Sequence, residues 1–66
     1  MLQAEFENRF YYFELIKATS DLIVVNMYKT EYALVKKEGQ WENDSRNRMK
    51  ATAGLIEAIV KSVQDK

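Results

Sequence analysis

Polar and apolar positions alternate with a period of two along the first half of this chain, and shift to a helical period near its end. Leu2, Ala4 and Phe6 alternate with Gln3, Glu5 and Glu7, the pattern of a half-buried strand. Two runs dense in aromatic and β-branched residues follow, Phe10 to Ile16 and Leu22 to Tyr28. That composition suits strands. A rival helix over residues 1–17 is possible, because Leu2, Phe6, Phe10, Phe13 and Ile16 also fall at helical spacing. The Phe10-Tyr11-Tyr12-Phe13 run disfavours it, so the strand reading is taken.

The two central strands carry apolar residues on both faces. Glu14 and Asn26 share the parity of Phe10, Tyr12, Ile16, Leu22, Val24 and Tyr28, and either would be costly in a core without partners. The covered face is therefore assigned to Tyr11, Phe13, Leu15, Ile23, Val25 and Met27. The set Phe10, Tyr12, Ile16, Leu22, Val24 and Tyr28 is left on the opposite face.

Residues 31–37 read as a fourth strand, entered through a weak turn signal at Tyr28-Lys29-Thr30. Gly39 favours a tight turn after it, with Trp41 pairing back beside the fourth strand. A two-residue loop would set Trp41 on the face of Leu34, and a three-residue bulged loop on the face of Val35. Residues 42–48 are polar and aperiodic. Leu55, Ile56, Ile59, Val60 and Val63 then form one stripe of an amphipathic helix. Thr52 is the expected cap. An earlier start near residue 45 would bury Gly54 inside the helix at a cost of roughly 1 kcal/mol. Gln64-Asp65-Lys66 reads as a frayed end.

The predicted fold is α+β: a single domain over residues 1–66, with a small antiparallel β-meander of three to four strands and one C-terminal α-helix packed on one face. The strands fall at about 2–7, 10–17, 22–28 and 31–37, and the helix at about 53–64. Ile56 and Ile59 are expected to bury against Phe13 and Val25.

Composition narrows the chemistry. A chain of 66 residues allows one domain that buries only about 60% of its unfolded surface, so small scaffolds commonly rely on a disulfide, a metal or a partner subunit. There is no cysteine and no histidine, which removes disulfides, thiolate sites and the commonest metal ligand and general base. No catalytic, cofactor-binding or metal residues are assigned, no cofactor is expected, and the reading is non-enzymatic. Among the carboxylates Glu14 lies between Phe13 and Leu15 within the aromatic run, and a solvated or ion-paired Glu14 is the plainer reading. Glu42 to Ser45 lack the spacing and glycine of a calcium loop. The ten basic and ten acidic residues balance. No apolar run approaches the roughly 18 residues of a membrane span. The start lacks the features of a signal peptide, and a cytoplasmic location is expected.

Two functional readings follow. In the first, Phe10, Tyr12, Ile16, Leu22, Val24 and Tyr28 form an apolar patch large enough to mark a protein contact. The protein would then be a small interaction or structural module that self-associates, most simply as a dimer, or meets another protein partner. Scattered exposed apolar residues are the plainer alternative. In the second, Trp41, Arg46, Arg48 and Lys50 form a weak single-stranded nucleic-acid site, with bases stacked on aromatics and cations along the phosphates. From Lys29 to Lys50 there are six basic and four acidic residues, too small an excess for a basic domain, so nucleic acid is not the expected partner.

Overall fold

The computed structural model describes residues 1–64; Asp65 and Lys66, part of the expected frayed end, lie outside the described residues. Five antiparallel strands run in chain order across one sheet: β1 (Leu2–Phe6), β2 (Arg9–Ala18), β3 (Leu22–Met27), β4 (Thr30–Lys37) and β5 (Gln40–Asn43). The helix α1 (Ala53–Gln64) follows. The expected meander is present and gains a fifth strand, because the segment holding Trp41 pairs along the whole end of β4. Residues 1–17 are two strands rather than a helix.

Three of the four hairpins close through two residues: Glu7-Asn8, Tyr28-Lys29 and Glu38-Gly39. All six residues have φ between 51° and 80°. Such turns match the right-handed twist of the strands that they join. The two-residue loop at Gly39 sets Trp41 opposite Lys36, on the face of Leu34. Tyr28 is the exception to the expected faces. It is not the last residue of β3 but the first of a turn, at φ 54°. Its ring meets Tyr11 edge-on at 6.4 Å, so it leaves the patch to which its parity assigned it.

The sheet curls into a half-barrel. β2 is ten residues long, pairing with β1 along its first half and with β3 along its second. A bulge at Ile16 shifts the register between Leu15 and Lys17, and an extra residue of this kind bends a strand and raises its twist. The helix lies on the concave side, against β1 and β5 at the two edges of the sheet. The Ser62 hydroxyl donates to the Gln3 carbonyl at 2.7 Å. Curling is what lets one helix of twelve residues cover the inner face of five strands.

The core contains Phe13, Ile23, Val25, Met27 and Leu34 from the sheet, with Ile56, Ile59 and Val60 from the helix. The expected inner face therefore holds, with Tyr11 and Leu15 packed at its margin. Thr52 caps the helix, its hydroxyl accepting from the Leu55 N–H at 3.3 Å, and the late start is the one adopted. Gly54 sits in the first turn, where a Cβ would fall within 2.8 Å of the Phe6 ring. Gly54→Ala, normally stabilising in a helix by about 0.5–1 kcal/mol, is expected here to lower stability by about 1 kcal/mol, since overpacking costs about 1–3 kcal/mol. Urea denaturation checks this, and a stabilised variant would show that Phe6 moves aside freely.

Candidate functional site

The segment between β5 and α1 is aperiodic in sequence but tightly organised. The Asn43 side-chain amide donates to the Ala51 carbonyl and accepts from the Ala51 N–H, both at 2.9 Å. The Asn47 amide does the same with Ala33, at 2.9 Å to its carbonyl and 3.0 Å from its N–H. Each amide copies the donor–acceptor pair of a peptide unit. Asn47 thereby extends the β4 ladder where β5 has ended, and Asn43 fixes the entry to the helix. A carboxamide sets an N–H donor and a C=O acceptor side by side on a short side chain, as a peptide unit does, which is why two asparagines hold this path.

Asp44 begins the segment. Its carboxylate, 12% exposed, accepts from the Arg46 guanidinium at 3.1 Å and from the Arg46 N–H at 2.8 Å. The side-chain hydrogen bond from Arg46 contributes most, and the backbone bond next, to lowering its pKa from 3.8 to about 2. Hydrogen bonds to the charged form favour ionisation. A carboxylate with a folded-state pKa below its unfolded value stabilises the fold above the unfolded value, and that contribution is lost as pH falls from about 3.8 towards 2. Asp44→Asn is therefore expected to flatten the loss of stability over this window, measured by denaturation at stepped pH. An unchanged acid profile would count against the ion pair.

The convex face is uncovered by the helix. Phe10 and Tyr12 are each 50% exposed and Ile16 is 53% exposed. Leu22 and Val24 are half-buried instead, because the segment after β5 rises beside them. Together with Ala33 they lie in an open cleft of about 860 Å³ whose other side is Arg46, Arg48 and Met49. The expected patch is thus an aromatic part on β2 and an aliphatic cleft on β3 and β4, with Ile16 on the bulge between β2's two registers.

Asn26 lies on this face between two acidic residues, paired with Glu14 on β2 and Glu31 on β4. Its Oδ1 is buried and has no hydrogen-bond partner among the described residues. Ionised carboxylates have no proton to donate, so neither neighbour can satisfy it. A buried acceptor left in this way costs about 1–3 kcal/mol. Tyr28 and Lys29 hold left-handed conformations at the rim of the same face, and such conformations are costly for residues other than glycine, asparagine or aspartate.

Of the residues of the nucleic-acid reading, the cations lie near one another but Trp41 is set apart from them. Trp41 packs against the core from the concave side. Arg46 is paired with Asp44, and the Lys50 ammonium donates to the Asp44 and Ser45 carbonyls at 3.1 and 3.3 Å. Both cations brace the segment, leaving Arg48 beside the cleft. Binding of labelled single strands is expected to be no tighter than about 10⁻⁴ M at physiological salt. Micromolar anisotropy titrations abolished by changing Arg46, Arg48 and Lys50 would overturn that expectation.

No group of three or more His, Cys, Asp or Glu that could hold a metal occurs among the described residues, and no described helix is long and apolar enough to cross a membrane. No protein-family model matches the chain, and no curated protein or solved structure matches it either.

Proposed function

We propose that this protein is a non-enzymatic interaction module that pairs with a second copy of itself through the convex face of its sheet. The observation that carries this reading is the exposure of Phe10, Tyr12 and Ile16 on the face of the sheet that the helix leaves uncovered. A second copy docking there would take these side chains out of water. Burying each large apolar side chain contributes about 1.5–3 kcal/mol.

Charge favours a second copy as the partner. The β1–β2 half of the face carries Glu5 and Glu14 with Lys17, a net negative charge. The cleft half carries Lys29 and Arg48 with Glu31, since Arg46 is neutralised by Asp44. A two-fold axis parallel to the strands sets each acidic half over the other copy's cationic cleft, whereas an axis across the strands would stack glutamates on glutamates. Isologous dimers of this kind are the commonest homo-oligomers. A cytoplasmic location is part of the proposal, resting on a chain without cysteine. Light scattering coupled to size exclusion over a dilution series tests the assembly, with a dimer mass at high micromolar concentration as the expected result. A monomer mass throughout would refute it.

A further inference from the structure

The two edges of the sheet are treated differently by the helix. On β1 the Gln3 carbonyl is already taken by the Ser62 hydroxyl. On β5 the register leaves an open edge. The Asp44 N–H donates to the Ala33 carbonyl at 2.9 Å, and Leu34 lies opposite Asn43. In an antiparallel ladder bonded and non-bonded pairs alternate, so Gln40 and Glu42 bond to β4. The N–H and C=O of Trp41 and Asn43 then point away from the sheet. Among the described residues none of these four groups has a hydrogen-bond partner.

Beside that edge lies a groove of about 420 Å³ between the β5 hairpin and α1. Trp41, Ala53 and Val60 supply its apolar lining, and Glu57 and Lys61 lie on the helix side. Trp41 is half-buried there and packs against the core. An open strand edge next to an apolar groove is the arrangement by which an extended peptide adds a strand to a sheet, backbone bonds giving affinity and alternate side chains giving selectivity.

We infer that the β5 edge and the groove beside α1 form a docking site for an extended peptide segment with alternating apolar and basic residues, added antiparallel to β5. This inference does not depend on pairing through the convex face. The alternation follows from the register. Residues of the incoming strand opposite Trp41 and Asn43 make the backbone bonds and share the concave side, and the one opposite Trp41 turns its side chain into the groove, so these positions are apolar. The residue between them lies opposite Glu42 on the convex side, where a cation is complementary. A second copy of β5 is the poorer occupant, because the two-fold pairing that uses all four free groups sets Glu42 directly opposite its own copy, and like charges so placed are destabilising.

The test uses a blocked heptapeptide of alternating lysine and valine, titrated into dilute full-length protein with Trp41 emission and amide hydrogen exchange as readouts. Binding should protect the Trp41 and Asn43 amides. N-methylation of the valines, whose N–H groups face β5, should weaken binding at least tenfold, while N-methylation of the lysines should change it less than twofold. Glu42→Lys, an exposed substitution, should also weaken binding at least tenfold. Equal binding of both N-methylated peptides, or unprotected Trp41 and Asn43 amides, would overturn the site. Concentration-dependent protection of those amides without peptide would assign the edge to a second copy and overturn it as well. The two peptide results leave the light-scattering mass untouched, and concentration-dependent amide protection would place a dimer at the β5 edge rather than the convex face, so this inference and the face-to-face dimer fail separately.

Discussion

Ile59→Ala is expected to lower the unfolding free energy by about 2–4 kcal/mol. Ile59 is fully buried, at 0% exposure, in a cluster with Phe13, Ile23, Val25 and Leu34. The helix is held between the two edges of a curled sheet, so the surrounding strands cannot collapse into the space without uncurling. The cavity term should therefore lie towards the upper part of that range. A domain of 66 residues has a total stability of roughly 3–10 kcal/mol at about 0.05–0.15 kcal/mol per residue. The variant should unfold at a much lower urea concentration, and at 37 °C a measurable fraction should be unfolded. Glu57→Ala, on the exposed side of the same helix, serves as the comparison and should change stability by less than about 0.5 kcal/mol. If the two variants denature alike, the helix does not close the half-barrel as described.

The second large effect is expected from Val24→Lys. Val24 is half-buried at the floor of the convex cleft, opposite Ala33 on β4 and Lys17 on β2. A lysine there would put an ammonium in the middle of the proposed contact and next to an existing cation. The dimer should dissociate, with the mass halving at a concentration where the wild-type protein stays paired. Its melting temperature should fall and lose its dependence on concentration, since only association makes stability depend on concentration. The neighbouring Lys17 could by itself destabilise the monomer. Lys17→Gln with Val24→Lys separates the two effects: it should recover stability but not mass. A wild-type protein that is already monomeric, together with a Val24→Lys variant of unchanged melting temperature, would end the face-to-face proposal.

Local pattern made the sheet and its inner face legible. Strand period two identified Ile23, Val25 and Met27 as core, because a side chain's face depends only on parity once a strand is assumed. The polar pair Glu14 and Asn26 settled which parity faces inwards. Gly39 gave a two-residue loop, and Trp41 followed it onto the face of Leu34. Thr52 and the helical stripe placed α1 to within a residue. The signals that failed were equally local. The turn at Tyr28-Lys29 has none of the usual turn residues, yet the twist of β3 and β4 forces both into positive φ. Ile16 carries no bulge signal, since a bulge is a mismatch with the partner strand rather than a property of the residue. The two asparagine clamps were missed for the same reason: Asn43 and Asn47 find their partners eight and fourteen positions away along the chain.

What the sequence determined by itself is the order of the elements, the face each residue takes within its strand, the helix and its cap, and the absence of cysteine and histidine chemistry. These depend on neighbours within a few positions or on composition alone. Tertiary structure decided the curl of the sheet, the splitting of the convex patch into an aromatic ridge and a cleft, the separation of Trp41 from Arg46 and Arg48, and the burial of Asn26 Oδ1 without a donor. It also decided that the helix reaches the β1 edge through Ser62 on the Gln3 carbonyl but leaves the Trp41 and Asn43 backbone groups of β5 free among the described residues. Each of these is a relation between segments far apart in the chain. Such relations depend on how the strands twist and on where a single helix can fit, and no local period encodes either.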